Sequence, residues 1–198
     1  CDVGQGDAIL ITKGFNQVLI DGGPNDKVLS CLSENMPFFD KTVEVVALTH
    51  PEADHLTGII PVMEKYKVDY FLSGPEGNQS AVYNELLKKL ESRGFCKGRP
   101  CKAARPPLVK VVNPYTGDKV KIGDLVLQTL WPDKKWITEK IGSSIAANIN
   151  TTTVGSNVLG VQTTNLKLNQ FSLVFLLKYQ KFQAILMGDA DEKVQKEI

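Results

Sequence analysis

Missing from this chain, first, is any apolar run near the roughly 20 residues that a helix needs to cross a bilayer. Nor does it open on a basic, then apolar, then small-residue leader. Strong net charge is missing too. Against 23 Lys and Arg stand 22 Asp and Glu, a formal +1, so any pull toward nucleic acid or membrane must be local. Cysteine is sparse: Cys1, Cys31, Cys96 and Cys101 in 198 residues make no disulfide framework. Cys96 and Cys101 are near enough in sequence to pair, or they stand as two free thiols. Their spacing and the lack of a second pair argue against a zinc knuckle. Methionine does not open the chain. Cys1 runs directly into strand-like sequence, and the chain is expected to be a piece truncated at both ends. Histidine is scarcest of all, with two residues, His50 and His55.

What is present is an ordinary globular composition, 42% hydrophobic and 23% charged, which excludes a disordered chain. Residues 7–14 and 17–20 read as strands joined by Gly14-Phe15-Asn16. A helix is predicted over 26–35, with Val28, Leu29 and Leu32 on one face. Residues 43–48 form a compact apolar run, expected to be a buried strand that ends at Thr49-His50-Pro51. A helix follows over about 56–65, then a strand over 68–73. The clearest helix spans 80–93, striped by Tyr83, Leu86, Leu87 and Leu90 and followed by Gly94 as a C-cap. Residues 119–131 read as a hairpin turned at Gly123-Asp124. Residues 133–168 are polar and weakly patterned, a long loop or insertion. Strands over 172–179 and 182–187 close the chain. Strands, then strand–helix alternation, then strands again predict a single domain of the α/β (α+β) class over 1–198. Two sheets are packed together with helices outside, as an αββα sandwich.

The chemistry concentrates in one loop. Thr49-His50-Pro51-Glu52-Ala53-Asp54-His55 holds both histidines and two carboxylates just past a buried strand, where a rigid scaffold can present ligands. Imidazole with carboxylate suits zinc, manganese or iron. A second piece, Ile185-Leu186-Met187-Gly188-Asp189, sets a carboxylate at a strand end. Taken alone, Asp189 would equally cap the next helix.

At these residues the sequence resembles the metallo-β-lactamase superfamily. His50-Pro51-Glu52-Ala53-Asp54-His55 matches its His-x-His-x-Asp-His loop with one change. More narrowly, the chain is similar to the hydrolase domain of ComEC-type competence proteins. That likeness is carried by Asp2-Val3-Gly4-Gln5-Gly6-Asp7-Ala8, Leu19-Ile20-Asp21-Gly22-Gly23, Thr49-His50-Pro51, Asn169-Gln170-Phe171-Ser172 and Met187-Gly188-Asp189. These blocks come in the family's order. The resemblance implies a metallo-β-lactamase-like sandwich with its C-terminal part missing, and two divalent metal ions, zinc or manganese. His50 and Glu52 would hold one ion, Asp54 and His55 the other, with Asp189 bridging. His50, Asp54 and His55 would be the catalytic set. Asp21 would support the loop, with Gln5 and Asp7 nearby.

Three departures qualify that reading. Glu52 stands where the superfamily has histidine, which hardens the site toward manganese or magnesium. The superfamily's next histidine is absent, with Asn169 near its place as a weak ligand. The family's last ligand, in a His-His-Gly-Ser segment, would lie beyond Ile198.

The implied activity is hydrolysis of phosphodiesters, a nuclease acting on DNA during uptake. The implied location is the extracytoplasmic face of a bacterial membrane, fused to or associated with a membrane channel; a stand-alone protein would be soluble and cytoplasmic. Independently, the stretch 92–110 carries six basic residues (Arg93, Lys97, Arg99, Lys102, Arg105 and Lys110) and no acidic one. It could neutralise phosphates, or be a solvated loop. The competing readings are a lactone, thioester or β-lactam hydrolase on the same fold, and a catalytically degenerate module that binds nucleic acid or a partner.

Overall fold

The computed structural model describes residues 1–93, 109–140 and 167–198 in full, and the backbone alone of 95–96, 99–100, 141 and 161–162. The chain begins in an irregular stretch over 1–8 that runs into β1 (Ile9–Lys13) and β2 (Asn16–Ile20), an antiparallel hairpin. Next come α1 (Val28–Asn35), β3 (Thr42–Leu48), α2 (Ala53–Leu56), α3 (Ile59–Lys65), β4 (Lys67–Ser73), the short β5 (Glu76–Gly77) and α4 (Ala81–Ser92). Two-residue strands β6 (Phe95–Cys96) and β7 (Arg99–Pro100) precede β8 (Lys110–Val112), β9 (Lys119–Ile122) and β10 (Leu125–Trp131). The remaining elements are α5 (Lys134–Ile141), β11 (Val161–Gln162), a 3-10 turn over Leu168–Phe171, β12 (Val174–Tyr179), β13 (Phe182–Leu186) and α6 (Glu192–Gln195).

Two sheets form the body. The first has the order β1-β2-β3-β4-β8, and the second β13-β12-β10-β9. From β2 to β8 the first sheet is parallel, while the second is antiparallel throughout. The alternation of side chains along a strand builds both cores. On β3, Val46 and Leu48 join Leu32, Ile59, Met63, Leu86 and Leu90 of the helices. Val45 and Ala47 face the other way, onto Leu127, Phe175 and Leu177 of the second sheet. A smaller cluster, Trp131, Val174, Ala190 and Val194, seats α6 against the second sheet. The expected layering of sheet on sheet with helices outside is what is found.

Local differences have local causes. The helix expected over 56–65 is split into α2 and α3, because the chain must pass close beneath the loop after β2: the amide of Gly58 donates to the carbonyl of Gly23. The stretch 133–168 is not all loop. Residues 134–141 form α5, started by Asp133, whose side chain accepts from the amides of Lys135 and Trp136. An Asp at that place satisfies amides that a helix leaves unpaired. Residues 142–160 and 163–166 lie outside the described residues, as does any pairing of Cys96 with Cys101. Cys1 and Cys31 are joined in a disulfide, a pairing that their sequence spacing does not announce. No helix among the described residues is long and apolar enough to cross a membrane.

Candidate metal centre

Parallel strands deliver their C-terminal ends to one edge of a sheet. Here β2 ends at Ile20 and β3 at Leu48, side by side, so Asp21 and the loop from Thr49 to His55 share that edge. The second sheet is tied to the same place. The amide of Leu173 donates to the carbonyl of Thr49 (2.8 Å), and the hydroxyl of Ser172 donates to the carbonyl of Met187 (3.3 Å). Gly188 allows this closure: its φ is +49°, and a Cβ there would stand 2.8 Å from Thr49 and 2.6 Å from Ser172 Oγ. That close approach is what positions Asp189.

The fixed centre is Asp21, fully buried. Its φ of +58° lies in the left-handed region, which a short polar side chain tolerates better than most. From there Oδ1 accepts from the amide of Thr49 (2.8 Å), and Oδ2 accepts from the Thr49 hydroxyl (2.7 Å) and meets His55 Nδ1 (2.9 Å). Thr49 Oγ1 in turn lies 3.1 Å from His50 Nδ1. Both imidazoles are therefore held by their Nδ1 atoms, and both turn their Nε2 atoms to the other side. The rings lie 4.2 Å apart. His55 Nε2 is 3.5 Å from Asp189 Oδ1, and His50 Nε2 is buried with no hydrogen-bond partner.

Burial, aided by the neighbouring His55, pushes the His50 imidazole down to about 3, so it is neutral. Its 3.8 Å approach to Glu52 Oε2 is consequently not an ion pair at neutral pH. Burial works against a charge on His55 as well. The bond and charge of Asp21, with the charges of Asp189 and Asp54, outweigh it and bring that imidazole up to about 9. Burial raises the Asp21 carboxyl, opposed by His55 and Thr49.

Among the described residues, two groups have ligand atoms all within 4.8 Å of one another: His50, His55 and Asp189, and Asp7, Asp21 and His55. Asp7 is delivered by the irregular opening stretch. Gly6 beside it has a φ of +112°, and a Cβ there would sit 2.2 Å from the carbonyl oxygen of Asp54, so the stretch lies directly on the loop. Glu52 and Asp54 stand outside both groups. Asp54, half-buried on α2, reaches His55 through its charge alone. Gln5 is exposed. Asn169 is half-buried in the 3-10 turn, and its carbonyl accepts from the amide of Ser172.

Of the basic stretch, Arg93 donates to the carbonyl of Met63, and Lys110 packs over the ring of Tyr70 and bonds its hydroxyl. Lys97, Lys102 and Arg105 lie outside the described residues, and of Arg99 only the backbone is described. Sequence reasoning passed over two residues. Thr49, the relay between Asp21 and His50, stands in the sequence only as the residue before the first histidine. Glu76, the first residue of β5 just past the end of β4, is fully buried with both carboxyl oxygens unpartnered.

No protein-family profile matches the sequence, and no curated protein matches it. Solved structures do match the chain's shape. A metallo-β-lactamase fold protein, YhfI from Bacillus subtilis, aligns over 92% of this chain and 54% of its own, with 12% identity and a TM-score of 0.50. MEM-A1, a subclass B3 metallo-β-lactamase from a soil metagenome library, aligns over 90% of this chain and 54% of its own, with 14% identity and a TM-score of 0.45. The chain thus spans about half the length of these structures. Its two-sheet body, with the imidazole loop at the end of β3, has the metallo-β-lactamase fold.

Proposed function

We propose that the chain is a metal-dependent hydrolase. Its first ion would be held by His50 Nε2, His55 Nε2 and Asp189, and its substrate would be a phosphodiester of DNA. The observation that supports this best is the buried, unpartnered Nε2 of His50. Leaving such an atom without a partner costs about 1–3 kcal/mol, and a cation beside it removes that cost. Two imidazoles with one carboxylate form a borderline donor set suited to zinc or manganese. Such an ion, when bound, polarises a phosphoryl oxygen and brings the pKa of its water to about 7.

The chain's own residues do the rest. Thr49 and Asp21 hold the two Nδ1 atoms and so fix which nitrogen of each ring faces the site. His50, kept neutral, has its lone pair available. At His55 a cation would replace the proton that the surrounding aspartates otherwise hold, so binding releases a proton. Asp54 and Glu52, on the open side, would receive a second ion and orient the attacking water. The DNA-uptake setting, beside a membrane channel on the extracytoplasmic face, belongs to the same proposal.

The test counts zinc and manganese equivalents bound, then offers DNA, bis(p-nitrophenyl) phosphate, a lactone, a thioester and a cephalosporin. Manganese-dependent phosphodiester cleavage, lost in Asp54→Ala and His50→Ala, is expected. Turnover of the carboxylic substrates alone would move the chain to the second enzyme class. Bound metal without turnover of any of them would favour a binding module, a reading that the position of Glu52 and Asp54 outside both close groups supports.

A further inference from the structure

A second feature lies outside the metal centre and is not used by it. Between α5 and α6 opens a cavity of about 340 Å3, with Trp131 and Trp136 on one side and Lys140, Lys193 and Lys196 at its rim. Trp131 is buried, and its indole N–H donates to the carbonyl of Gln170 (2.8 Å). Trp136 is half-buried, tilted against Trp131 at 4.9 Å and edge-on to Phe171 at 5.1 Å. A stack of three rings fixed in this way holds Trp136 still while leaving part of it in the cavity.

The cavity and the metal centre are linked through the chain. Gln170 lines the cavity, follows Asn169, and donates from Nε2 to Asp191 Oδ2 (3.0 Å). Asp191 caps α6 two residues after Asp189, accepting from the amides of Lys193 and Val194. A ligand seated here therefore lies along the same segment that presents Asp189. The three lysines are exposed; Lys196 is held by Glu192 at 2.8 Å, and the lining acid is Glu197.

We propose that this cavity is a nucleotide subsite, which takes one base of a single strand against Trp136 and its flanking phosphates on Lys140 and Lys193. An aromatic face with cations around it is the pairing that holds unpaired bases without reading their identity. Inorganic anions would use the lysines only, and an apolar ligand the rings only. The larger cavity of about 580 Å3 around Cys1 and Cys31 has no aromatic ring in its lining, so the same argument does not apply to it. The proposal rests on the phosphodiester reading for its link to catalysis, but not for binding.

The chain has two tryptophans, and both line this cavity, so tryptophan emission, excited selectively over tyrosine, reports on the cavity alone. A short oligothymidylate, added to the full chain in EDTA, is expected to quench that emission, while polyphosphate does not. Binding of a labelled oligothymidylate, followed by anisotropy, should weaken roughly 5- to 150-fold in Trp136→Ala. It should stay near wild type in Trp136→Phe, which keeps a ring. Replacing Lys140 and Lys193 by Gln, on exposed positions that leave the core intact, should flatten the fall of affinity with salt.

Three results would each overturn the subsite: no quenching, equal competition by polyphosphate, or a blunt duplex that binds as well as the single strand and ignores Trp136→Ala. Hydrolysis of bis(p-nitrophenyl) phosphate, measured alongside, separates the two claims. If it persists while oligonucleotide binding fails, only the subsite falls. If binding persists without hydrolysis, the subsite stands and the catalytic reading falls.

Discussion

At the scale of single residues the site is organised by Asp21 more than by the histidines themselves. One carboxylate accepts from the amide and hydroxyl of Thr49 and meets His55 Nδ1, all within 2.9 Å. Removing its charge while keeping its shape isolates that role. Asp21→Asn can still accept from the Thr49 amide, so the fold should persist by circular dichroism. Zinc affinity, measured by competition with a chelator, should drop about 10- to 100-fold. A change within a factor of about two would mean that Asp21 does not orient the ligand. His50, His55 and Asp189, which the fold brings together, stand in short, recognisable blocks of sequence, whereas Asp54, from the same loop, stays outside the close groups. Thr49 was harder to single out, since a strand-end threonine is unremarkable until the partner of its hydroxyl is known.

Glu76 could not be anticipated at all, because nothing in the sequence marks a carboxyl that folds back under Gly74, where a Cβ would meet it at 2.0 Å. Burial without a partner pushes this acid up from 4.5 to about 8. Between those values the folded chain keeps a proton that the unfolded chain gives up, so stability declines as pH rises through that window. At about 1.4 kcal/mol per unit, the loss is a few kcal/mol once the pH exceeds the folded value. Thermal midpoints taken at about pH 5 and pH 9 should fall further for wild type than for Glu76→Gln, which cannot ionise. Parallel pH curves for the two proteins would show that Glu76 is charged in the fold.

At the scale of elements the strands were the easiest to foresee, and the opening stretch was the hardest. Runs such as Val43–Leu48 carry their own pattern, and β3 lies within a residue of where apolar character places it. Residues 1–8 have no period, since they form no strand and are held by scattered contacts. Cys1 is bonded to Cys31; the Asn25 amide donates to the carbonyl of Val3; Val3 is buried against Gly23; and Gly6 lies on Asp54. That stretch carries Asp7 to within reach of His55. The disulfide is its covalent anchor to α1. Closing a loop of 30 residues removes unfolded-state entropy worth about 3–4 kcal/mol in the chain-entropy account. Cys1 is exposed and Cys31 half-buried, so a thiol reductant can reach the bond. Reduction, or Cys31→Ser, should lower the urea midpoint by an amount of that order. Protease should then cut first within residues 1–8, ahead of β1. Unchanged stability on reduction would assign the anchoring to Val3 and Gly6 instead.

At the scale of the whole molecule the two sheets meet twice, once through an apolar core and once through the site. The core contact is Val45 and Ala47 on Leu127, Phe175 and Leu177. It is a product of alternation, and was foreseeable from the strands. The contact at the site is polar: Leu173 to Thr49 and His55 to Asp189. It brings together residues more than 120 positions apart in sequence, which no local pattern reports. A cation held by His50, His55 and Asp189 would therefore clamp one sheet to the other, and it could bind only when both are in place. Ligands that bind the folded state alone stabilise it by about 2.7 kcal/mol at a hundredfold excess over Kd. For a chain of this size that corresponds to a rise of roughly 5–11 °C in Tm. Zinc or manganese should produce that rise in wild type. Asp189→Asn and His50→Ala should each abolish most of it, although they lie on opposite sheets. Glu52→Gln, on the open side, should leave much of it intact. A metal shift that survives Asp189→Asn would place the ion on the His50 loop alone, and the bridge between the sheets would then have to be apolar packing and hydrogen bonds without it.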